Sequence, residues 1–233
     1  MCTLSFIPIK NKVFITSNRD EDVRRGLALE PAVYKINEKE ILYPKDPLSG
    51  GTWFAVREQE AIMVLLNGAE EKHKRIPPYR KSRGIILLDL IGSEDSLKAW
   101  DNINLDRIEP FTIVFYNKQE LYQWRWNGII KTTTKLDPVK PYIWSSSTLY
   151  SREIRKMREK WFSDFLENDF KDAESIIHFH KYGGSIDKQN GFQINRNKTL
   201  ITQNITQAIL TKQTISLTYE NLLKEEVKET NLS

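Results

Sequence analysis

Strand-forming segments stand at both ends of this chain with helix-forming blocks between them, and that arrangement limits the fold more than any single motif does. Thr3–Ile9 and Val13–Ser17 are short, β-branched or aromatic, and separated by the turn-like Lys10-Asn11-Lys12, which predicts a hairpin. Leu200–Gln203, Thr206–Thr211 and Thr214–Tyr219 repeat the pattern near the other end. Gly50-Gly51 introduces a strand pair over Thr52–Val56 and Ala61–Leu66, the second apolar almost throughout and ending at Asn67-Gly68. Phe111–Tyr116 and Leu121–Trp126 predict a further hairpin, in which the alternating "YQWRW" puts its aromatics on one face. Helices are expected over Ser82–Ile91 and over Ser93–Asn102, the latter with Ser93 as N-cap. A longer helix follows Ser151, where Ile154, Met157, Trp161, Phe162, Phe165 and Leu166 recur at three- and four-residue spacing, and a shorter one covers Asp172–Tyr182. The result is an α+β protein in which helices cover an extended antiparallel sheet or a pair of sheets. One domain over 1–223 is expected, with a flexible tail at 224–233.

Composition narrows the function classes. The 233 residues are 39% hydrophobic, enough for a sizeable core, and 35 basic against 31 acidic residues leave a net charge of only +4, which argues against nucleic acid as a partner. No apolar run approaches the roughly 20 residues of a membrane span, and no signal peptide pattern is present, so a cytoplasmic protein without an integral membrane segment is expected. His178 and His180 flank Phe179 and do not share a helical face as i,i+4 metal ligands would. With a single cysteine the chain offers neither an internal disulfide nor a thiolate-rich zinc site, and no metal centre is expected.

That cysteine is Cys2. Removal of the initiator methionine would place a thiol and a free α-amine on one residue, with ordinary pKa values of about 8.5 and about 7.7–8.0. Nucleophile and base would then belong to the same amino acid. Such a residue needs a carboxylate to orient the amine and a donor to stabilise the oxyanion. The N-terminal hairpin brings Asn18-Arg19-Asp20-Glu21 back toward the start of the chain, with Asn18 and Asp20 on one strand face and Arg19 on the other.

The segments "MCTLSF", "TSNRDE", "GGTWFAV", "LLNG", "YRKSRG", "EPFTIVFY" and "WSSSTLYS", in this order, resemble the NRDE family, also called the transport and Golgi organisation 2 family. That family in turn is similar to the N-terminal-nucleophile hydrolases, in particular the cysteine acylases acting on penicillin V and conjugated bile salts. The resemblance implies a four-layer αββα N-terminal-nucleophile-hydrolase-like fold. It implies Cys2 as nucleophile, Asn18 and Asp20 as the Asn-X-Asp pair whose aspartate holds the α-amine, and Asn67 as the oxyanion donor. Two positions depart from the acylase pattern: Ser17 stands where the acylases carry an arginine, and Ser145, Ser146 and Ser147 stand where a second asparagine is expected. Arg19, Arg83 and Ser146 are the candidate substrate-contacting residues, Arg83 because it belongs to the Ser-Arg-Gly pattern at the end of the basic stretch "EEKHKRIPPYRKSRG". A basic loop of this kind is either a solvated loop or a partner for a phosphate, a carboxylate or the pantetheine-phosphate end of an acyl carrier.

The resulting expectation is an amidohydrolase or acyl-transfer enzyme acting on a small-molecule amide or acyl group, with no required cofactor. The alternative is a non-enzymatic carrier of haem, acyl-CoA or lipid, in which haem would be a ligand and a cysteine thiolate its axial partner. Oligomeric state is left open.

Overall fold

The computed structural model describes residues 3–58, 61–167 and 172–232. Met1 and Cys2 lie outside the described residues, and with them the expected nucleophile. The strands in chain order are β1 (Thr3–Ile9), β2 (Lys12–Asp22), β3 (Leu29–Ile36), β4 (Lys39–Lys45), β5 (Phe54–Arg57), β6 (Ala61–Asn67), β7 (Phe111–Asn117), β8 (Glu120–Trp126), β9 (Lys131–Leu136), β10 (Tyr142–Ser145), β11 (Asn195–Arg196), β12 (Leu200–Leu210), β13 (Ile215–Asn221) and β14 (Glu226–Leu232). The α-helices are α1 (Arg83–Ile91), α2 (Ser96–Asn102), α3 (Arg152–Glu167) and α4 (Ala173–Tyr182). The α+β class expected from the sequence is the observed one, and the chain is built from two compact units, 28–138 and a unit formed by 3–27 and 139–231.

The unit built from both ends of the chain holds an antiparallel sheet of order β10-β1-β2-β12-β13-β14, with β11 paired to β12. The N-terminal hairpin forms in the expected register, Thr3 opposite Asn18 and Ile9 opposite Lys12. Thr3 is flanked on its other side by Ser145 of β10. The two strands expected at Leu200–Gln203 and Thr206–Thr211 are one continuous strand, β12, whose pairing with β2 shifts register between Thr202 and Asn204. This shift marks a β-bulge opposite Arg19 and Asp20. The segment 224–233, expected to be a flexible tail, carries β14 beside β13.

Side-chain alternation along β2 assigns its two faces. Phe14 joins Ile7, Phe162, Ile176, Phe179 and Phe192 in an apolar core under α3 and α4. Two residues on, Thr16 is polar, then Asn18, then Asp20, so the helix-covered face becomes steadily more polar toward the end where β1 begins. Each of these side chains is buried and must find its hydrogen bonds inside the protein. The Gln207 amide donates to Thr16 Oγ1 at 2.9 Å and to the Ala173 carbonyl of α4 at 3.3 Å.

The unit over 28–138 is a seven-stranded meander, β3 through β9 in sequence order. The tryptophans Trp100 and Trp124 stack with centroids 5.1 Å apart, joining α2 to β8. Gly51 and Gly84 explain two of the family motifs by packing alone: a Cβ on Gly51 would lie 2.6 Å from the Gly84 carbonyl carbon, and one on Gly84 would lie 2.7 Å from the Thr52 carbonyl oxygen. Backbone meets backbone where α1 starts. Ser82 caps α1 by accepting from the Ile85 N–H. The second helix begins later than expected, because Asp95 rather than Ser93 is its N-cap, accepting from Leu97 and Lys98. The Ser93 hydroxyl instead donates to the Leu90 carbonyl at the end of α1.

Candidate active site

The polar end of the β2 face is a continuous hydrogen-bonded network. The Asp20 carboxylate is 3% exposed and is held through both oxygens, Oδ2 accepting from the Tyr150 hydroxyl at 2.7 Å and Oδ1 from the Thr202 hydroxyl at 2.6 Å. Both distances are those of well-formed O–H···O hydrogen bonds. Thr202 comes from the bulged stretch of β12, and Tyr150 from the turn that leads into α3. That turn is closed by the Ser146 carbonyl, which accepts from the Leu149 and Tyr150 amides.

Asn18 and His180 form the second part. The Asn18 amide donates to the carbonyls of His180 at 2.9 Å and Phe192 at 3.1 Å, which fixes its orientation and leaves Oδ1 to accept from His180 Nδ1. The imidazole therefore carries its proton on Nδ1, and Nε2 accepts from the Ser5 hydroxyl at 2.7 Å. All three side chains are fully buried. Burial, and secondarily the Arg158 cation, holds the His180 pKa down to about 3 from 6.5. The order hydroxyl, imidazole, amide has the outline of a catalytic triad, yet so weak and enclosed a base serves as a structural tie between β1, β2 and α4. Both donors and the oxygen of Asn18 are engaged in this tie, which holds β2 to α4.

Arg158 is the third part. Its guanidinium is 0% exposed, donates to Thr3 Oγ1 and to the Gly191 and Asn190 carbonyls, and lies 4.0 Å from the Tyr150 ring centroid and 4.6 Å from that of Phe192. The start of β1 is thereby pinned to α3. Arg19 points to the opposite face from Asn18, as expected, and is buried, donating to Gln203 Oε1 with Glu21 3.5 Å away. Ser146 is also buried, its hydroxyl 2.8 Å from Thr148 Oγ1. Neither residue presents an exposed surface to a ligand.

In the other unit, Asn67 is the last residue of β6, opposite Phe111, and precedes Gly68, whose φ of 84° turns the chain out of the sheet. Arg83 donates to the Pro110 carbonyl at 3.3 Å and pairs with Glu109 at 3.3 Å. Glu109 also meets Arg75 at 3.1 Å and His73 at 3.3 Å, so this buried carboxylate gathers the basic loop onto the strand entry beside Asn67. Arg83, expected to contact substrate, is thus a member of an internal ion-pair cluster.

Tyr150, Thr202, Arg158 and Glu109 were not singled out by the sequence. Tyr150 falls within "WSSSTLYS" and Glu109 within "EPFTIVFY", so the motifs contained the signal without saying which member carried it. Among the described residues no group of three or more metal-binding side chains converges. No helix among them is long and apolar enough to cross a membrane.

The fold has clear relatives among solved structures. A variant of conjugated bile acid hydrolase from Clostridium perfringens matches with a TM-score of 0.62 at 10% identity, covering 99% of this chain and 92% of that one. Penicillin V acylase from Agrobacterium tumefaciens matches with a TM-score of 0.59 at 10% identity, covering 100% and 86%. The Caenorhabditis elegans N-acylethanolamine-hydrolyzing acid amidase orthologue matches with 0.59 at 11% identity, covering 90% and 92%. The expected N-terminal-nucleophile-hydrolase-like fold is the fold of this chain. No curated protein matches the sequence. The model of the family described as Transport and Golgi organisation 2 matches residues 1–225, and the chain belongs to that family.

Proposed function

We propose that this protein is a cysteine amidohydrolase or acyl-transfer enzyme whose nucleophile is Cys2 after removal of Met1. The observation that carries the reading is the Asp20 carboxylate, enclosed on a strand adjacent to β1 and held at both oxygens beside a start of β1 that is itself anchored through Thr3. An aspartate so fixed is suited to accept a hydrogen bond from an α-amine and set it against the neighbouring thiol. The thiol proton passes to the amine, and the thiolate adds to the substrate carbonyl. Collapse expels the leaving amine with the proton returned from the α-amine, leaving a thioester that water or another acceptor then cleaves. Small amide or acyl compounds are the substrate class, in keeping with the compounds named for the solved relatives.

Haem fits the described residues less well. Both ring nitrogens of His180 are engaged in the interior, His73 meets the Glu109 carboxylate, and His178 packs against Tyr182 with centroids 4.6 Å apart. Intact mass after exposure to p-nitrophenyl acetate tests the proposal. A single acetyl adduct on a protein lacking Met1, absent from Cys2→Ala, is the expected result. Uniform retention of Met1 in the native host, or equal labelling of Cys2→Ala, refutes it and leaves the carrier function to be tested by ligand titration.

A further inference from the structure

We propose that Tyr150 and Thr202 are positioning residues that set the plane of the Asp20 carboxylate, an inference that rests on the proposed role of Cys2 and Asp20. The hydrogen-bond directions are determined by the neighbours. Thr202 Oγ1 already accepts the Ile194 amide at 2.8 Å, so its own proton is directed to Asp20 Oδ1 at 2.6 Å, the other acceptor in reach being the Phe192 carbonyl at 3.5 Å. Tyr150 has one hydroxyl proton, and Asp20 Oδ2 lies 2.7 Å from it. Two donors on two oxygens define a carboxylate plane, where one donor would leave a pivot.

The donors are themselves fixed. Two guanidinium groups lie over the Tyr150 ring, Arg158 at 4.0 Å and Arg196 at 5.2 Å from its centroid. Arg196 is tied to the Gln189 and Leu149 carbonyls at 2.8 and 3.2 Å, and Arg158 to those of Gly191 and Asn190 at 3.2 and 3.3 Å. Arg158 also donates to Thr3 Oγ1. One buried guanidinium therefore references both the carboxylate, through Tyr150, and the first strand, through Thr3. Thr202 is held by the β12 bulge, which lets its hydroxyl turn toward Asp20 while the next paired residue, Asn204, lies opposite Arg19. Neither Tyr150 nor Thr202 touches substrate in this scheme; each acts through Asp20.

The test is the pH profile of Cys2 acetylation by p-nitrophenyl acetate, measured on mature protein lacking Met1 for wild type, Tyr150→Phe, Thr202→Val and Thr202→Ser. Tyr150→Phe keeps the ring against the guanidinium groups and removes the hydroxyl; Thr202→Val removes the other, and Thr202→Ser retains it. A displacement of about 1 Å is worth roughly 100-fold in rate. Tyr150→Phe and Thr202→Val are each expected to acetylate about 10- to 100-fold more slowly, with a displaced pH profile, and Thr202→Ser to stay close to wild type. A Tyr150→Phe profile superimposable on a fast wild-type profile overturns this inference and leaves the nucleophile assignment standing. A wild-type Cys2 that reacts no faster than the cysteine of a short peptide overturns both. Should Tyr150→Phe fail to fold by circular dichroism, the Thr202 pair decides: equal rates in Val and Ser refute the inference, and rescue by Ser alone supports it.

Discussion

The buried imidazole of His180 makes the stability of this protein acid-sensitive in a way that can be worked out in advance. Its pKa is about 3 in the folded protein against 6.5 for the free group, lowered first by burial and then by the Arg158 charge. Between these values the unfolded chain binds the proton and the folded chain does not, so the contribution is fully present above pH 6.5 and is lost as the pH falls toward 3. At pH 5 the unfolded histidine is almost wholly protonated, and the loss relative to pH 7.5 is about 2 kcal/mol at about 1.4 kcal/mol per pH unit. Urea unfolding of wild type and His180→Gln at pH 7.5 and pH 5 isolates this term, because the carboxylates titrate alike in both. The substituted protein will be less stable at both pH values, having lost the links to Ser5 and Asn18, but its stability is expected to fall by about 2 kcal/mol less than that of wild type. In the native wild type the His180 ring should show no NMR titration step above pH 5. Parallel pH dependences, or an imidazole titrating near 6.5, would refute the reasoning.

Other expected outcomes follow from single contacts. Asn18→Ala strands the Nδ1–H of His180 and two buried carbonyls, and is expected to cost about 3 kcal/mol or more by denaturant unfolding. Arg158→Met removes the buried cation that depresses the imidazole, so the folded-state pKa of His180 should rise and the stability lost through His180 on acidification toward pH 3 should be smaller than in wild type, while urea stability at neutral pH falls. Gly51→Ala drives a methyl group into the Gly84 backbone and should lower stability by about 1–3 kcal/mol, with the same substitution at Gly26, whose surroundings are open, limited to the cost of its φ of 73°. Phe162→Ala empties part of the core beneath α3 and should cost about 3–5 kcal/mol in the same assay.

The N-terminal hairpin was legible because its turn is short and its register follows from the turn, which places Thr3 opposite Asn18. The amphipathic stripe of α3 was legible for the same local reason. The hairpin of β3 and β4 was not: its strands carry Glu30, Lys35, Lys39 and Glu40, and its turn uses Asn37 and Glu38 at φ 47° and 65° without a glycine to announce it. At the site, the pairing of Asn18 with Asp20 on one face could be read from alternation, but the partners that decide what each does could not. Asn18 meets His180 and Asp20 meets Thr202 across sequence separations of 162 and 182 residues. The sequence displays the charges of Arg83 and Arg19 without showing that they meet Glu109 and Gln203.

The sheet that carries Asp20 is interrupted in the chain by the whole of 28–138, and this fixes an order of events during synthesis. The hairpin of β1 and β2 is made before the 28–138 unit, but β2 has no second neighbour until β12 has been made. Tyr150 reaches Asp20 across 130 residues and Thr202 across 182, so the carboxylate has both donors only after Thr202 has been added. Loop closure over such spans slows assembly, since its entropy is spent before any distant contact rewards it. A nascent chain therefore carries the hairpin of β1 and β2 long before the surroundings of Asp20 exist, and the carboxylate is held at both oxygens only once β12 has been added.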